Sequence, residues 1–454
     1  MNPPGAKALP SFIRVRLSRW KHLQSVAGNT MWLLVDRIVR LGLGLYLNIR
    51  IARYLGPEQF GLLNYATAFV TLFIPVATLS LDSIVVRDLV REPQRKHETL
   101  GAVLALRIAA AVFTILLAVG LILLLRPDDG LVHWLVGVTA IGAIFQAFDT
   151  IDLWFQSQLQ SRLTVWAKNS AFLLLTAVKL LMIKLGAPLI AFAWAASAEL
   201  LAGAIGLIIA YQTQGNHLLC WRSSLQRIAG LLRNCWPLAL SGFAAYLQAK
   251  SDQVLVGDLI GDAELGQYSV ALRLVEVLGF IPMVIQSSVA PAVTRAKTQG
   301  DDRYYQLLLN IYRLMFALFV ATAAPLFFFS AQLVALLFGS EYAAAGALLP
   351  LFSVRLFFTN FGVAKNLFIV NNGLFKYSLV MTVAGAVANL ALNYLLIPRY
   401  ASPGAIAAMG VSFLVNTFLI DLFYPQMRRN LRAMVKAIFT PWRLRLSAAA
   451  RQSF

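Results

Sequence analysis

The sequence predicts an all-α fold: a polytopic membrane protein of about twelve transmembrane helices, arranged as two parallel six-helix lobes around a central cavity. Three observations lead there. Hydrophobic residues make up 59% of the chain and charged residues only 13%, against about 25% charged in soluble domains. Apolar runs recur from residue 28 to 424, each near the roughly 20 residues that a spanning helix needs. A Gly/Pro pattern appears at matching places in the two halves. Barrel strands are excluded because these runs are too long and too evenly apolar.

In order along the chain, a basic tail at 1–27 precedes apolar runs at 28–52, 60–82, 99–125, 131–155, 165–184 and 188–211, so the N-terminal lobe covers 28–211. A linker at 212–232 leads to runs at 233–257, 266–290, 306–329, 346–370, 376–397 and 404–424. These form the C-terminal lobe, 233–424, and a second basic tail occupies 425–454.

The net charge is +19, and its placement fixes the orientation. Of 39 Lys and Arg, 25 fall on tails and loops of the side that holds both termini, 4 on the opposite side and 10 within apolar runs. Such a bias places both termini in the cytoplasm. The basic segments then serve orientation and contact with anionic membrane lipids, and a nucleic-acid partner is not needed. Residues 1–27 lack the apolar core and cleavage site of a signal peptide.

Enzyme classes find little support. Cys220 and Cys235 need no disulfide and cannot form a metal site alone; His22, His97, His133 and His217 have no ligand spacing. No nucleophile elbow, phosphate-binding glycine loop or paired carboxylates occur, and the loops leave no room for a catalytic domain. The expectation is a transporter, not an enzyme, without metal or cofactor.

The repeat sits at helices one and two and again at seven and eight. Gly56, Gly61 and Pro75 match Gly261, Gly266 and Pro282, the glycines of each pair being five positions apart. The glycines allow a tight turn between packed helices. The prolines each remove a helical hydrogen bond and provide a hinge. Both copies run in the same direction, which implies a pseudo-two-fold axis along the membrane normal.

A cation at the centre of a spanning helix costs about 2.5–3.5 kcal/mol or more, so the ten internal ones demand a reason. Arg37 and Arg40 lie deep in the first helix, with Asp36 spaced to pair with Arg40. Lys250 and Arg273 are expected at similar depth on adjacent helices, accompanied by Asp252 and Glu276, and form the best candidate anion site. Arg355 and Lys365 on the tenth helix are further cavity candidates. Arg50 and Arg53 are expected to snorkel to the outer interface, with Lys179 and Arg313 as interface anchors. Glu199, near mid-membrane, joins Asp36, Asp252 and Glu276 as a possible coupling or charge-pair acid. Trp32, Tyr46, Tyr246 and Tyr268 could stack on sugar rings, although packing explains each of them as well.

Two segments carry a family resemblance. Arg53-Tyr54-Leu55-Gly56-Pro57-Glu58-Gln59-Phe60-Gly61 and Leu337-Phe338-Gly339-Ser340-Glu341-Tyr342 resemble the outer-loop signatures of the polysaccharide-transporter branch of the multidrug/oligosaccharidyl-lipid/polysaccharide exporter superfamily. Its best-known members are the Wzx-type flippases of O-antigen, lipopolysaccharide and exopolysaccharide synthesis. The resemblance implies a bacterial inner-membrane protein that moves undecaprenyl-pyrophosphate-linked oligosaccharide outward through a cationic cavity. It further implies proton, sodium or membrane-potential coupling, and a polymerase and a chain-length regulator as partners. Chemistry agrees, since pyrophosphate needs cations and a sugar needs a polar cavity. Alternatives are a lipid II flippase, a cation-coupled multidrug exporter, which would favour cavity acids, and a membrane glycosyltransferase, polymerase or ligase, which would need larger outer loops.

Overall fold

A computed structural model describes the backbone of residues 11–443 and the side chains of Arg37 and of Val39 onward. Residues 1–10 and 444–454, and the side chains of Trp32 and Asp36, lie outside the described residues. No strand occurs among the described residues. The helices are α1 (Ser11–Leu72), α2 (Ile74–Thr78), α3 (Asp82–Arg91), α4 (Lys96–Leu125), α5 (Gly130–Gln146), α6 (Thr150–Ser157), α7 (Ser161–Lys184) and α8 (Leu189–Thr213). They continue as α9 (Leu225–Leu259), α10 (Asp262–Leu278), α11 (Phe280–Gln299), α12 (Asp301–Phe328), α13 (Ser330–Phe338), α14 (Ala343–Asn371), α15 (Phe375–Leu414), α16 (Ile420–Phe423) and α17 (Pro425–Phe439).

Eight of the described helical stretches are long and apolar enough to cross a bilayer, or nine when the pair bent by 41° at Phe73 counts as one. This is fewer than the expected twelve, for identifiable reasons. α1 runs through a turn at Gly56 (φ 73°) and α15 through one at Ala401 (φ 50°), so each holds two expected helices. Gly56 takes that φ without a Cβ clash, and Ala401 is held there between Pro398 and Pro403. α9 falls short of the apolar criterion because Gln248, Lys250, Ser251, Asp252 and Gln253 lie within it.

The cores reveal the architecture. At one end a single cluster draws on both halves of the chain, including Tyr65, Phe69, Val136, Val256, Tyr268 and Phe352. At the other end there are two separate cores. One holds Leu81, Leu100, Phe155 and Tyr211 with Cys235; the other holds Val293, Leu308, Phe361, Tyr377 and Met434. The two halves are therefore joined at one end and part at the other.

One expected boundary needs correction. α9 begins at Leu225, inside the expected linker, because Ser224 caps it by accepting a hydrogen bond from Arg227 N at 3.2 Å. Its first turns belong with the N-terminal half. Leu231 and Cys235 enter that half's core, and Arg227 reaches Asp88 at 3.2 Å. The rest of the linker is tied down as well, by Ser224 to Glu98 at 2.7 Å and Lys96 to Asn216 at 2.9 Å. α9 still packs on that half at Gly242, where a Cβ would lie 2.7 Å from Ser80 Oγ.

Candidate functional site: a cationic cleft beneath a sealed end

The joined end closes on the repeated glycines. A Cβ at Gly61 would sit 1.8 Å from the Asp262 carbonyl oxygen, and one at Gly266 would sit 2.0 Å from that of Pro57. The contacts are reciprocal, each copy of the repeat receiving the backbone of the other. Polar links span the same seam. Arg53 donates to the carbonyls of Leu337 (2.8 Å) and Leu336 (2.5 Å), and Tyr342 Oη donates to Ala52 O at 2.9 Å.

Arg126 completes the seal. It reaches Asp258 at 2.8 Å and Asp262 at 3.1 Å, and its guanidinium lies 3.9 Å from the Tyr65 ring centre. Burial pushes this guanidinium down, but the Asp258 hydrogen bond and the neighbouring Tyr65 and Asp262 outweigh it, and the net shift is upward. Arg53 thus does more than snorkel, and Arg126 joins it in holding the seam. Their partners are 132 to 284 residues away, which no local spacing reveals.

Below the seal, helix geometry directs two cations into the cleft between the halves. Residues seven apart share a helix face. On α10 Gly266 and Arg273 share a face; Gly266 touches Pro57, and just beyond α10 Arg37 on α1 covers the ring of Phe280, the first residue of α11, at 5.4 Å. On α9 a Cβ at Gly257 would meet Tyr65 at 2.7 Å, and Lys250 lies seven residues back on the same face. Lys250 and Arg273 are brought together by one acid. Lys250 Nζ is 3.5 Å from Glu276 Oε1, and Arg273 Nη1 is 3.7 Å from Glu276 Oε2. These distances are long for charged hydrogen bonds. The side chains of Lys250, Arg273 and Glu276 keep 23%, 46% and 28% of their exposure, so the cations remain open to a further anion.

The remaining candidates are placed as follows. Asp252 does not pair with Lys250 as expected; it is buried and accepts hydrogen bonds from Tyr268 Oη and Gln253 N. Tyr268 is therefore committed to the interior and does not present its ring to a cavity. Arg355 is half-buried against Met409 (3.6 Å) and the Phe413 ring, where its charge acts on both Asp252 and Glu276. Tyr46 and Tyr246 are exposed. Arg40 parts from Arg37: it lines a separate cavity of about 190 Å³ inside the N-terminal half, with Gln146, Asp149, Lys168 and Glu199. There Lys179 pairs with Glu199 at 2.7 Å and Lys168 with Asp149 at 2.8 Å, so Lys179 is an internal ion-pair partner and no interface anchor. Arg107 is likewise buried and paired with Asp82. Arg313 is buried and donates to Thr440 Oγ1 and to the carbonyl of Arg443, both at 2.9 Å. Pro282 is buried in the first turn of α11, and Pro75 in the first turn of α2.

Lys365 requires correction as a cavity residue. It and Asp421 are 2% and 0% exposed and 2.6 Å apart. Lys365 also donates to the carbonyls of Asn416 (3.1 Å) and Thr417 (3.0 Å) in a π-helical turn, Val415–Leu419. Tyr377 Oη donates to Asp421. Such a pair is structural: removing one partner leaves an uncompensated buried charge, at a cost of about 3–5 kcal/mol. Lys365→Met alone is therefore expected to lower the midpoint of thermal unfolding and membrane abundance. Lys365→Met with Asp421→Asn is expected to recover most of both, as read by scanning fluorimetry and immunoblot. Equal loss in single and double variants would refute the pairing.

Among the described residues no group of three or more His, Cys, Asp or Glu could hold a metal ion.

Comparison with known proteins gives a consistent picture. Residues 26–297 match the family described as polysaccharide biosynthesis protein, and residues 237–395 match the MatE family. Among curated proteins, the "Probable low-salt glycan biosynthesis flippase Agl15" of Haloferax volcanii is 24% identical over 184 residues, 40% of this chain. The chain spans only 38% of that relative. Among solved structures, the inward-facing conformation of a multidrug resistance MATE family transporter of the MOP superfamily superposes with a TM-score of 0.71 at 16% identity, covering 90% of this chain and 99% of that one. The outward-facing conformation of such a transporter gives 0.61 at 14% identity, covering 93% and 97%. The lipid II flippase MurJ, inward closed, also gives 0.61, at 15% identity and 91% of each chain. The all-α polytopic fold expected from the sequence is the fold of these transporters.

Proposed function

The chain belongs to the polysaccharide biosynthesis protein family, and on that premise we propose that it is a flippase for a polyprenyl-pyrophosphate-linked oligosaccharide, undecaprenyl in a bacterial host. One observation carries the reading: two partly exposed cations, Lys250 and Arg273, share a single acid in a cleft that is sealed at one end. A pyrophosphate diester bears two negative charges and can bridge both cations, while the sugar occupies the cleft and the polyprenyl tail stays in lipid. The bias of basic residues puts the sealed end outside and the parted end in the cytoplasm. Substrate then enters from the cytoplasmic leaflet, and transport requires the glycine seam to open and the parted end to close.

A cation-coupled drug exporter fits less well, since its cavity would favour acids and here Glu276 faces Lys250 and Arg273 together. Lipid II has the same pyrophosphate chemistry and stands as the second reading, favoured by the likeness to MurJ. The test is a pair of reconstituted flipping assays, one with a lipid-linked oligosaccharide and one with lipid II, combined with gene deletion. Accumulation of a lipid-linked oligosaccharide in the inner leaflet, with flipping restored by the purified protein, is the expected result. Flipping of lipid II alone would move the assignment to the second reading, and flipping of neither would reject the proposal.

A further inference from the structure

We infer that the groove between α12 and α17 is a binding site for the phosphate group of an anionic membrane lipid. This site is apart from the cleft and independent of its substrate. α17 packs its buried face, Met427, Asn430, Met434 and Ala437, onto the bundle, with Tyr312 Oη donating to Asn430 Oδ1 at 2.9 Å. Its basic face borders a cavity of about 290 Å³ whose polar walls are Arg429, Arg432, Lys436, Asp302, Tyr305 and Gln306.

The three cations are not equivalent. Arg429 is fixed by the first turn of α12: it reaches Asp302 at 3.1 Å and Asp301 at 3.7 Å, and stacks over the Tyr305 ring at 3.9 Å. That accounts for Asp302, the acid in the cavity wall, while the adjacent Asp301 is also held by Lys297 at 3.3 Å. Arg432 and Lys436 follow three and seven residues later on the same face, and among the described residues neither has an acidic partner. An open cavity with two uncompensated cations selects an anion, and the guanidinium fork of Arg432 suits a phosphate.

The surroundings point to a lipid as the source of that phosphate. α17 directly follows the last spanning stretch, which ends at Phe423. Phe423, Phe439 and Trp442 project exposed from either end of α17, beside exposed Leu422. Large exposed aromatics next to a basic helix mark headgroup depth, where the apolar side chains enter the acyl boundary and the cations meet phosphates. A dissolved phosphate would need no such flanks.

Native mass spectrometry of the full chain, exchanged into phosphatidylglycerol or phosphatidylcholine micelles, tests the site. The comparison is wild type against Arg432→Gln/Lys436→Gln, with Arg399→Gln near the opposite end as control. Each cation near the surface contributes enough to expect roughly tenfold or greater loss of phosphatidylglycerol affinity in the double variant. Wild type and Arg399→Gln should retain phosphatidylglycerol in preference to phosphatidylcholine. Each single variant should show a smaller loss, which keeps the test decisive if the double variant does not fold. Equal phosphatidylglycerol retention by all variants would overturn the site. Displacement of the lipid by millimolar inorganic phosphate would overturn the lipid assignment in favour of a soluble anion.

Discussion

Lys250→Gln and Arg273→Gln are each expected to abolish export of the lipid-linked oligosaccharide while leaving protein level and unfolding temperature close to wild type. A hydrogen bond to a charged group contributes about 1.5–3 kcal/mol, so losing one cation should weaken substrate binding tenfold or more. Loss of both should leave Arg355 as the cation acting on Glu276. Stability should change little because both cations are partly exposed and their contacts with Glu276 are long, at 3.5 and 3.7 Å. Ion pairs that are this long and still reach solvent contribute little, about 0–1 kcal/mol when fully solvated. Lys250→Arg should retain part of the activity, since the charge stays on the same face of α9. The competing account, in which the cations exist only to neutralise Glu276, makes a different forecast. Under it Lys250→Gln would reduce protein abundance, and adding Glu276→Gln would restore both abundance and transport. Export, immunoblot and substrate binding measured side by side on the three variants and the double separate the two accounts. Full export by both single Gln variants would remove Lys250 and Arg273 from the site.

The sequence announced the fold class because its signals are local. Apolar runs near the membrane thickness and a one-sided distribution of Lys and Arg need no knowledge of tertiary contacts. The grouping of Lys250, Arg273 and Glu276 was also legible, because all three were counted from the same repeated Gly-containing turn. What stayed hidden was the choice of partner. Asp252, two residues from Lys250, was the obvious acid, yet the two residues lie about 200° apart around α9. Asp252 therefore turns inward to Tyr268 and leaves Glu276 to face both cations. Arg37 and Arg40 illustrate the same limit: three residues on one helix sufficed to send one towards Phe280 of the other half and one into a cavity of its own half. Lys365 lost its place in the cleft to Asp421, 56 residues on, and to carbonyls released by a π-helical turn that no spacing rule foretells.

Gly266→Val and Gly61→Val are expected to hold the sealed end open and stop transport without unfolding the protein. A Cβ at Gly266 would stand 2.0 Å from the Pro57 carbonyl oxygen, and one at Gly61 would stand 1.8 Å from that of Asp262. The obstacle in each case is backbone, which cannot swing aside as a side chain does, so the seam must widen by more than 1 Å, roughly the gap to a normal van der Waals contact. Each half keeps its own core at the parted end, so the damage should stay confined to the seam. Shifting a two-state equilibrium from 1:99 to 99:1 takes about 5.5 kcal/mol, and the widened seam also loses the Arg126 link to Asp258 and Asp262. The readout is a cysteine at Tyr246, which is exposed one turn from Lys250, in a chain whose Cys220 and Cys235 are replaced by Ser. In the otherwise unchanged protein this cysteine should react slowly with an impermeant maleimide added outside, because the seam shields it. With Gly266→Val it should react rapidly, and reaction from the cytoplasmic side should fall in parallel. Gly266→Ala should produce a smaller shift in the same direction, since its single methyl demands less displacement. Unchanged labelling from both sides, together with normal export, would mean that the glycine seam is not the gate.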